Sequence, residues 1–342
     1  MDTSILSTLF AIAPDLMEEV ELRALVLERV AALGPVGRRA LAQRLHLAER
    51  EVRSAADALK DTGLITQSAA GMELTDGGRM LVDAARAVSR GRRSLASMEL
   101  ALSRKLNVER VCVVRGDADM DDTVLEEAAR AAAGQLRFLL QGAQVLAVSG
   151  GRTMARVAQE IAPAAPMDVT VVPAQGGMNA PVSLQANTLA EAFAAKLGSQ
   201  CRLIHLPEGL PASAAEEIGR LPQVREGLEL LRHADVLLYG VGRAGDMARR
   251  RAMNAGDRET LTRQGAAGEA LGFYFGAEGA VIGAKSTLAL RAQELGRVCD
   301  AAAVAAGRSK AEAIIAVCMH HPHRLLVTDE GAAGRMMELL RV

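Results

Sequence analysis

Apolar positions follow a helical period through the first hundred residues and then change to short apolar runs that alternate with alanine-rich stretches. The helical part predicts helices over 20–33, 38–45 and 48–62, and extended segments at 64–66 and 72–75 flank a turn that contains glycine. Three helices followed by a small hairpin are typical of a winged helix-turn-helix, whose third helix enters the major groove of DNA.

Two further helices are predicted at 77–88 and 95–106, on either side of the basic stretch 90–93. We interpret them as a connecting helix pair, because runs typical of another kind of domain begin directly afterwards. The predicted organisation is a DNA-binding winged helix-turn-helix domain at 1–90, a connecting helix at 91–108 and a larger domain at 109–342.

The larger domain alternates strands and helices along its length. Strands are predicted at 111–114, 145–148, 169–172, 202–206, 236–239, 301–305 and 325–328, helices at 123–140, 153–161, 183–197, 310–319 and 331–340, and a hairpin-like region at 272–282. This alternation predicts an α/β domain with a doubly wound, mainly parallel sheet. Ligands of such sheets bind outside the carboxyl ends of the strands, so the loops that follow the strands carry the candidate site.

Charge changes the interpretation of the first domain more than of the whole chain. The formal net charge of the 342 residues is −1, yet the predicted second and third helices carry five arginines, Arg38, Arg39, Arg44, Arg50 and Arg53. We expect Arg50 and Arg53 near base edges and the other three near phosphates of double-stranded operator DNA. A winged helix that binds another protein is the alternative. Aromatic residues make up only 2%, which argues against base stacking on single strands.

Two glycine-containing loops are candidate anion sites. Gly150 and Gly151 follow an apolar strand and precede a helix that begins near Arg152 and Thr153. The free N–H groups at the start of that helix favour a phosphate or carboxylate, and an ordinary strand-to-helix turn is the alternative. Further along the chain, Ser309 and Lys310 open another helix after a strand and a glycine, which predicts a second anion site.

Other motifs are weaker evidence for a binding or catalytic site. The G-x-G-x-x-G pattern at 240–245 lacks the second strand and terminal acid of a dinucleotide site, and the histidines at 320–323 are interpreted as a solvated helix end. No nucleophile–His–acid set is visible, so we expect no cofactor, no metal and no enzyme activity. The four cysteines lack C-x-x-C spacing and are predicted to be buried, reduced thiols. With no leader or membrane span at 1–16, a cytoplasmic location is expected.

Seven blocks in order resemble the SorC/DeoR group of sugar-responsive bacterial repressors: PDL at 14–16, GRRAL at 37–41, QANT at 185–188, MARRR at 247–251, EALGFYF at 269–275, SKAEAI at 309–314 and LVTDEGAA at 326–333. The resemblance covers nearly the whole chain. It implies a tetrameric repressor of glycolytic genes with a sugar-phosphate-isomerase-like effector and oligomerisation domain. It also implies that fructose-1,6-bisphosphate is the effector that releases operator DNA; from the residues alone, a dimer or a tetramer remains open.

The resemblance also implies where the effector binds. Its contacts fall on Gly150, Gly151, Arg152, Thr153, Gln175, Gln185, Arg250, Glu269, Ser309 and Lys310. Phosphates are expected at 150–153, Arg250 and Lys310, and sugar hydroxyls at Gln185 and Glu269. Two positions depart from the pattern, because the related proteins have arginine where this chain has Gln175 and a small hydroxyl residue where it has Arg152.

An enzyme is the second hypothesis. A sugar-phosphate isomerase or hydrolase with a fused DNA-binding arm would use Glu269, Asp329 or Glu330 as a base and Lys310 as an electrophile. The same residues are equally expected in a sensor of sugar phosphates. Turnover of fructose phosphates by the purified protein distinguishes the two hypotheses.

Overall fold

The computed structural model describes residues 14–45, 47–68, 70–163, 165–177, 181–207, 210, 212–284 and 300–342. The chain divides into two compact units, Met1–Ala96 and Ser97–Val342. Cys299 and Ala69, which belongs to the turn predicted between the two extended segments, lie outside the described residues.

The N-terminal unit has the predicted winged helix-turn-helix arrangement. Its elements in chain order are α1 (Pro14–Leu33), α2 (Arg38–Leu45), α3 (Glu49–Asp61), β1 (Ile65–Ser68), β2 (Gly71–Leu74) and the first part of α4 (Asp76–Leu106). The strands β1 and β2 pair antiparallel, from Ile65 opposite Leu74 to Ser68 opposite Gly71, and form the wing.

Helix α3 shows why these residues form this unit. Its inward face buries Val52, Ala55, Ala56 and Leu59, as the spacing of the apolar positions predicts. The carboxylate of Glu51 accepts a hydrogen bond from the backbone N–H of Ala48 at 3.0 Å, which closes the first turn.

The wing is fastened to the same core. Ile65 and Met72 are both buried. A methyl group on Gly71 would lie 2.7 Å from the backbone nitrogen of Val36. The strand β2 can therefore approach the backbone of Val36 this closely only with glycine at position 71. The wing and α3 therefore pack on the same hydrophobic core.

The predicted helix pair at 77–88 and 95–106 is wrong, because α4 runs without interruption from Asp76 to Leu106. A glycine inside a helix costs only about 1 kcal/mol relative to alanine, and no proline lies in this stretch to end the helix. The end of α4 is joined to the next strand, since the carboxylate of Glu99 accepts a hydrogen bond from Val113 N at 2.9 Å.

A seven-stranded sheet forms the centre of the C-terminal unit. Its strands lie in the order β3 (Val108–Val114), β13 (His323–Asp329), β12 (Asp300–Val304), β7 (Val236–Gly240), β4 (Val145–Val148), β5 (Thr170–Pro173) and β6 (Gln200–Cys201). All the recorded pairings in this sheet are parallel. The predicted doubly wound parallel sheet is confirmed.

Helices cover the faces of this sheet. They are α5 (Thr123–Leu139), α6 (Arg152–Glu160), α7 (Ala186–Leu197), α8 (Ala212–Gly219), α9 (Pro222–Arg232), α12 (Ala311–Cys318) and α13 (Glu330–Leu340). The strands are buried on both faces and therefore read as continuous apolar runs. One cluster, which includes Leu146, Phe193 and Val327, forms the main core.

The predicted strand at 202–206 is wrong, because β6 covers only Gln200–Cys201. At the end of the apolar run, Asn187 bonds both the N–H and the carbonyl of Ile204 at 3.1 Å, so these backbone groups are satisfied by a side chain.

Sequence reasoning also missed most of a second, antiparallel sheet. Its strands lie in the order β11 (Val281–Ala284), β10 (Phe273–Gly276), β9 (Ala266–Ala270) and β8 (Gly242–Arg243). Helices α10 (Ala244–Arg250) and α11 (Ala255–Arg263) lie between β8 and β9. Only the hairpin of β10 and β11 was predicted, because β8 is two residues long and β9 is rich in alanine and glycine.

The prediction of a solvated histidine cluster is wrong. His323 is buried, His321 stacks on it with ring centroids 4.3 Å apart, and the Tyr239 hydroxyl is hydrogen-bonded to Nε2 of His323. Burial lowers the pKa of His321 to about 3 and that of His323 to about 4. Nδ1 of His323 donates to the carbonyl of His321 at 2.8 Å, so the ring is neutral and partnered on both nitrogens.

The prediction of buried cysteines is right for one of the three that the structure describes. Cys318 is buried, and burial raises the pKa of its thiol to about 12, whereas Cys112 and Cys201 are half-buried. All three are free thiols.

Candidate functional site

The N-terminal unit presents arginines on the outer face of α3. Arg50 and Arg53 are exposed, opposite the buried apolar positions of the same helix. Arg44, at the end of α2, is exposed as well. A helix that exposes arginines and follows a short turn is the geometry with which winged helices enter a major groove.

The five predicted arginines are not equivalent. The guanidinium of Arg38 donates to Asp57 at 2.9 Å and to Gln67 at 2.5 Å, which ties α2 to α3 and to the wing. Arg39 and Arg53 share one carboxylate, that of Glu49, at 3.4 and 3.0 Å. Among the residues that the structure describes, Arg44 and Arg50 have no ion pair.

In the C-terminal unit the order of strands fixes where loops meet. The chain passes from β4 outward to β5 and β6, and then returns to β7 on the other side of β4. A crevice forms where the strand order reverses in this way. Thr153, at the start of α6, lies against Gly240 at the end of β7, so the predicted loop at 149–153 borders this crevice.

The first predicted anion site, Gly150 to Thr153, requires its two glycines. Gly151 has a φ of 106°, and its N–H donates to the carbonyl of Leu184 at 2.9 Å. A methyl group on Gly150 would lie 2.7 Å from that same carbonyl oxygen and 3.3 Å from Nε2 of Gln175. The first-turn N–H groups of α6 have no acceptors inside the helix, as at the start of any helix.

Gln175 and Gln185 border the same loop. Gln175 is buried against Gly150, and Gln185 precedes α7, with its side-chain oxygen near Gly177. The structure therefore brings both glutamines, which follow the loop at 150–153 in the sequence, to the first anion site.

The second predicted anion site is already occupied by carboxylates of this chain. Asp119 accepts hydrogen bonds from Ser309 N at 2.6 Å and from the Ser309 hydroxyl at 3.1 Å. Asp117 accepts one from Arg308 N at 3.1 Å. The backbone geometry predicted from the sequence thus binds an anion, and in the structure that anion is a side chain.

Asp329 is the buried support of this second site. Its Oδ2 accepts hydrogen bonds from Ala118 N at 2.7 Å and Gly307 N at 2.8 Å, and its Oδ1 accepts one from Ala332 N at 3.0 Å. Burial raises the pKa of the Asp329 carboxyl, and these three N–H groups act in the opposite direction. Asp329 therefore joins the loops that follow β3, β12 and β13.

The charge of Lys310 is affected by its surroundings at the carboxyl end of β12. Burial lowers the pKa of the half-buried Lys310 ammonium, and the positive charges of Arg152 and Arg250 lower it further, while Asp119 and Asp329 raise it. Positive charges near an ammonium disfavour its charged form, and an anion would offset this effect. That Lys310, Arg152 and Arg250 bind phosphate stays a prediction.

Glu269 has a different environment from the other predicted contacts. Its carboxylate forms an ion pair with Arg251 at 2.9 Å, with both side chains more than 90% buried, and it accepts a hydrogen bond from Gly272 N at 2.6 Å. These bonds hold β9, the turn before β10 and the end of α10 together. Its expected contact with a sugar hydroxyl stays a prediction.

Sequence reasoning missed Asp117, Asp119 and Arg251. A signal was available for the two acids, because they follow the end of β3, and residues after strand ends are the ones that reach such a site. Nothing in the sequence distinguishes Arg251 from its neighbours Arg249 and Arg250.

A separate groove of about 780 Å³ runs along α6 and α7. Arg152 lines its end, and the other predicted effector contacts do not line it. The groove and the strand-end site are therefore adjacent but distinct.

Both units match known protein families. Residues 20–89 match the family described as "CggR N-terminal DNA binding domain" and residues 93–338 match the family described as "Putative sugar-binding domain". The chain is 33% identical over 325 residues to the central glycolytic genes regulator of Bacillus subtilis, covering 95% of this chain and 96% of that protein. It is 35% identical to that of Priestia megaterium, covering 95% of each.

A solved structure agrees with these matches. The protein from Enterococcus faecalis described as a "putative SorC family transcriptional regulator" is 32% identical, with a TM-score of 0.65, over 70% of this chain and 99% of that one. The fold and the site thus define a transcriptional regulator with a DNA-binding domain and a sugar-binding domain. More closely, the chain belongs to the central glycolytic genes regulator family, within the SorC group. Within the described part of the chain, no helix is long and apolar enough to cross a membrane.

Proposed function

We propose that this protein represses glycolytic genes and leaves its operator DNA when a phosphorylated sugar binds at the strand ends of the C-terminal unit. The observation that carries the proposal is that two glycine-containing loops, at Gly150–Gly151 and at Gly307, follow β4 and β12 of the same parallel sheet and lead into helices. Arg152 and Lys310 follow these loops, and the charges of Arg152 and Arg250 lower the pKa of Lys310. Fructose-1,6-bisphosphate is the leading effector, since three cations suit more than one phosphate. The names of the two bacterial relatives support glycolytic genes as the target.

One phosphate would bind the N–H groups of Arg152 and Thr153, where nothing lies within 4 Å of a methyl group added to Gly151. Lys310 and Arg250 would bind the other phosphate, and Ser309 would join them once the Asp119 carboxylate leaves its N–H and hydroxyl. Gln185 and Gln175 would bind sugar hydroxyls. Glu269 would either hold Arg251 in position or accept a hydrogen bond from a sugar hydroxyl. Arg152 supplies a positive charge close to the place where Gln175 lacks one.

Arg44 and Arg50 are the cations of the N-terminal unit that support DNA binding most directly, because no acidic partner is recorded for them among the described residues. A single winged helix makes few contacts with DNA, so we propose a dimer or tetramer. The proposed division is a DNA-binding domain at 1–90, a connecting helix at 91–108 and an effector and oligomerisation domain at 109–342.

An enzyme with a DNA-binding arm is the alternative. The relatives named above are regulators, which supports a sensor rather than a catalyst. Glu269 is in an ion pair and Asp329 accepts three N–H groups, so neither carboxylate is placed as a base for a substrate. Turnover of fructose phosphates by the purified protein would support the alternative.

The effector site is tested by thermal shift with a panel of phosphorylated sugars and two glycine variants. Gly150→Ala places a methyl group 2.7 Å from the Leu184 carbonyl, so we expect sugar-phosphate affinity to fall about 10- to 100-fold. Gly134→Ala is the matched control, because nothing lies within 4 Å of the added carbon. The absence of any shift in the unaltered protein, or an unchanged shift in Gly150→Ala, would contradict the proposed site.

A further inference from the structure

A carboxylate lies among the arginines of the surface proposed to bind DNA. Glu49 is the first residue of α3, and the early residues of a recognition helix are the ones that contact base edges. Its Oε1 accepts a hydrogen bond from Arg53 at 3.0 Å, and its Oε2 lies 3.4 Å from Nε of Arg39 in α2. A negative charge at this place weakens the attraction of the surface for every DNA phosphate.

The exposure of the three side chains indicates that Glu49 lies deeper than its arginines. The Glu49 side chain is 39% exposed, whereas those of Arg39 and Arg53 are 86% and 57% exposed. The guanidinium of Arg53 has five N–H donors, and its bond to Glu49 uses one nitrogen. The carboxylate can therefore hold Arg53 from below while other donors of the guanidinium face outward.

The ion pair changes which acceptors Arg53 favours. An arginine paired with a carboxylate has little net charge as a unit, so it gains less from a phosphate, which attracts it mainly through charge. The O6 and N7 acceptors of guanine carry no formal charge and are recognised through the geometry of two N–H donors. Glu49 thus weakens phosphate binding, which every DNA sequence offers, more than base recognition. A guanidinium already held in place also loses less side-chain entropy when it binds a base.

From this arrangement we infer that Glu49 is a specificity-determining residue of the DNA-binding unit, which positions Arg53 for a base edge and weakens binding to DNA of unrelated sequence. The inference rests on the part of the proposed function that assigns α3 to operator DNA. It explains why a recognition surface with five arginines carries a carboxylate between Arg39 and Arg53.

The test compares two duplexes of equal length by fluorescence anisotropy of the full-length protein: an operator fragment selected from random-sequence DNA, and a scrambled version of it. Glu49→Gln frees two arginines, and each added phosphate contact raises affinity about fivefold near 0.15 M salt. Affinity for the scrambled duplex should therefore rise about 10- to 30-fold. Operator affinity should rise only about 2- to 5-fold, because Arg53 is no longer positioned, so the ratio of the two affinities should fall about fivefold.

Two further variants separate this role from a general effect of charge. Asp61→Asn is the matched control, because it removes the same charge from the last residue of α3, about 18 Å from Glu49 along the helix axis, and should leave the ratio unchanged. Arg53→Ala removes the residue through which Glu49 acts. Adding Glu49→Gln to Arg53→Ala should then leave the ratio at the value that Arg53→Ala alone produces. Thermal unfolding confirms that each variant is folded.

An unchanged ratio in Glu49→Gln, or the same fall of the ratio with and without Arg53, would overturn the inference and leave the proposed function standing. Failure of the selection from random-sequence DNA to yield any preferred fragment would overturn the assignment of α3 to operator DNA as well.

Discussion

Two glutamates that form ion pairs with arginine differ in solvent exposure between the two units. Glu49 lies on the surface of the N-terminal unit between Arg39 and Arg53, whereas Glu269 is buried against Arg251 in the C-terminal unit. An exposed ion pair contributes about 0–1 kcal/mol, while breaking a buried one costs about 3–5 kcal/mol. Exposed arginines can therefore exchange a carboxylate for a DNA phosphate at little cost in free energy. The buried pair instead stabilises the fold of the C-terminal unit.

The largest expected effect comes from breaking the buried pair. Glu269→Gln leaves Arg251 charged and without its carboxylate, so the free energy of unfolding of the C-terminal unit should fall by about 3–5 kcal/mol. Denaturant unfolding measures this loss, and Glu49→Gln should lose less than about 1 kcal/mol in the same experiment. Wild-type stability in Glu269→Gln together with lost effector binding would instead assign Glu269 to the sugar.

Asp329 comes next, because it is a buried carboxylate that is satisfied by N–H groups rather than by an arginine. Asp329→Asn leaves one oxygen for three donors, so at least one buried N–H loses its acceptor and unfolding should become easier by about 1–3 kcal/mol. Asp121→Asn, at an exposed position, should leave the unfolding midpoint unchanged. Equal stability of the two variants would refute the supporting role of Asp329.

The histidine cluster predicts how the C-terminal unit responds to acid. The folded-state pKa values, about 3 for His321 and about 4 for His323, lie below the unfolded value of about 6.5. The unfolded chain therefore binds protons first, and stability present above pH 6.5 is lost as the pH falls. Between pH 7 and pH 5 each histidine should cost about 1–2 kcal/mol, and His321→Leu should remove its share. The same pH dependence with and without His321 would contradict its burial in the neutral form.

The smallest effect is expected at Glu49, and it concerns DNA rather than stability. Glu49→Gln frees Arg39 and Arg53 and removes a negative charge from the surface proposed to bind DNA, so operator affinity should rise about 2- to 5-fold with a steeper salt dependence. Arg50→Ala should lower operator affinity instead. Fluorescence anisotropy at several salt concentrations measures both, and an unchanged affinity in both variants would place the DNA contacts elsewhere.

These settings explain what the sequence could and could not predict. The loops at Gly150 and Gly307 were predictable, because a sharp turn between a strand and a helix restricts the choice of residue at that position. That Asp119 fills one of them was not, because the pairing joins residues 190 positions apart. The buried pair of Glu269 with Arg251 was missed for a similar reason, since β8 and β9 are too short and too poor in apolar residues to indicate the second sheet.

The most direct test is the affinity of the full-length protein for an operator fragment, selected from random-sequence DNA, with and without saturating fructose-1,6-bisphosphate. The effector should lower operator affinity about 5- to 150-fold, the range that an allosteric coupling of 1–3 kcal/mol produces. Lys310→Ala should bind the operator normally but lose this response, whereas Lys196→Ala, an exposed lysine on the groove beside α7, should keep it. Identical operator affinity with and without the effector, or a full response in Lys310→Ala, would contradict the account.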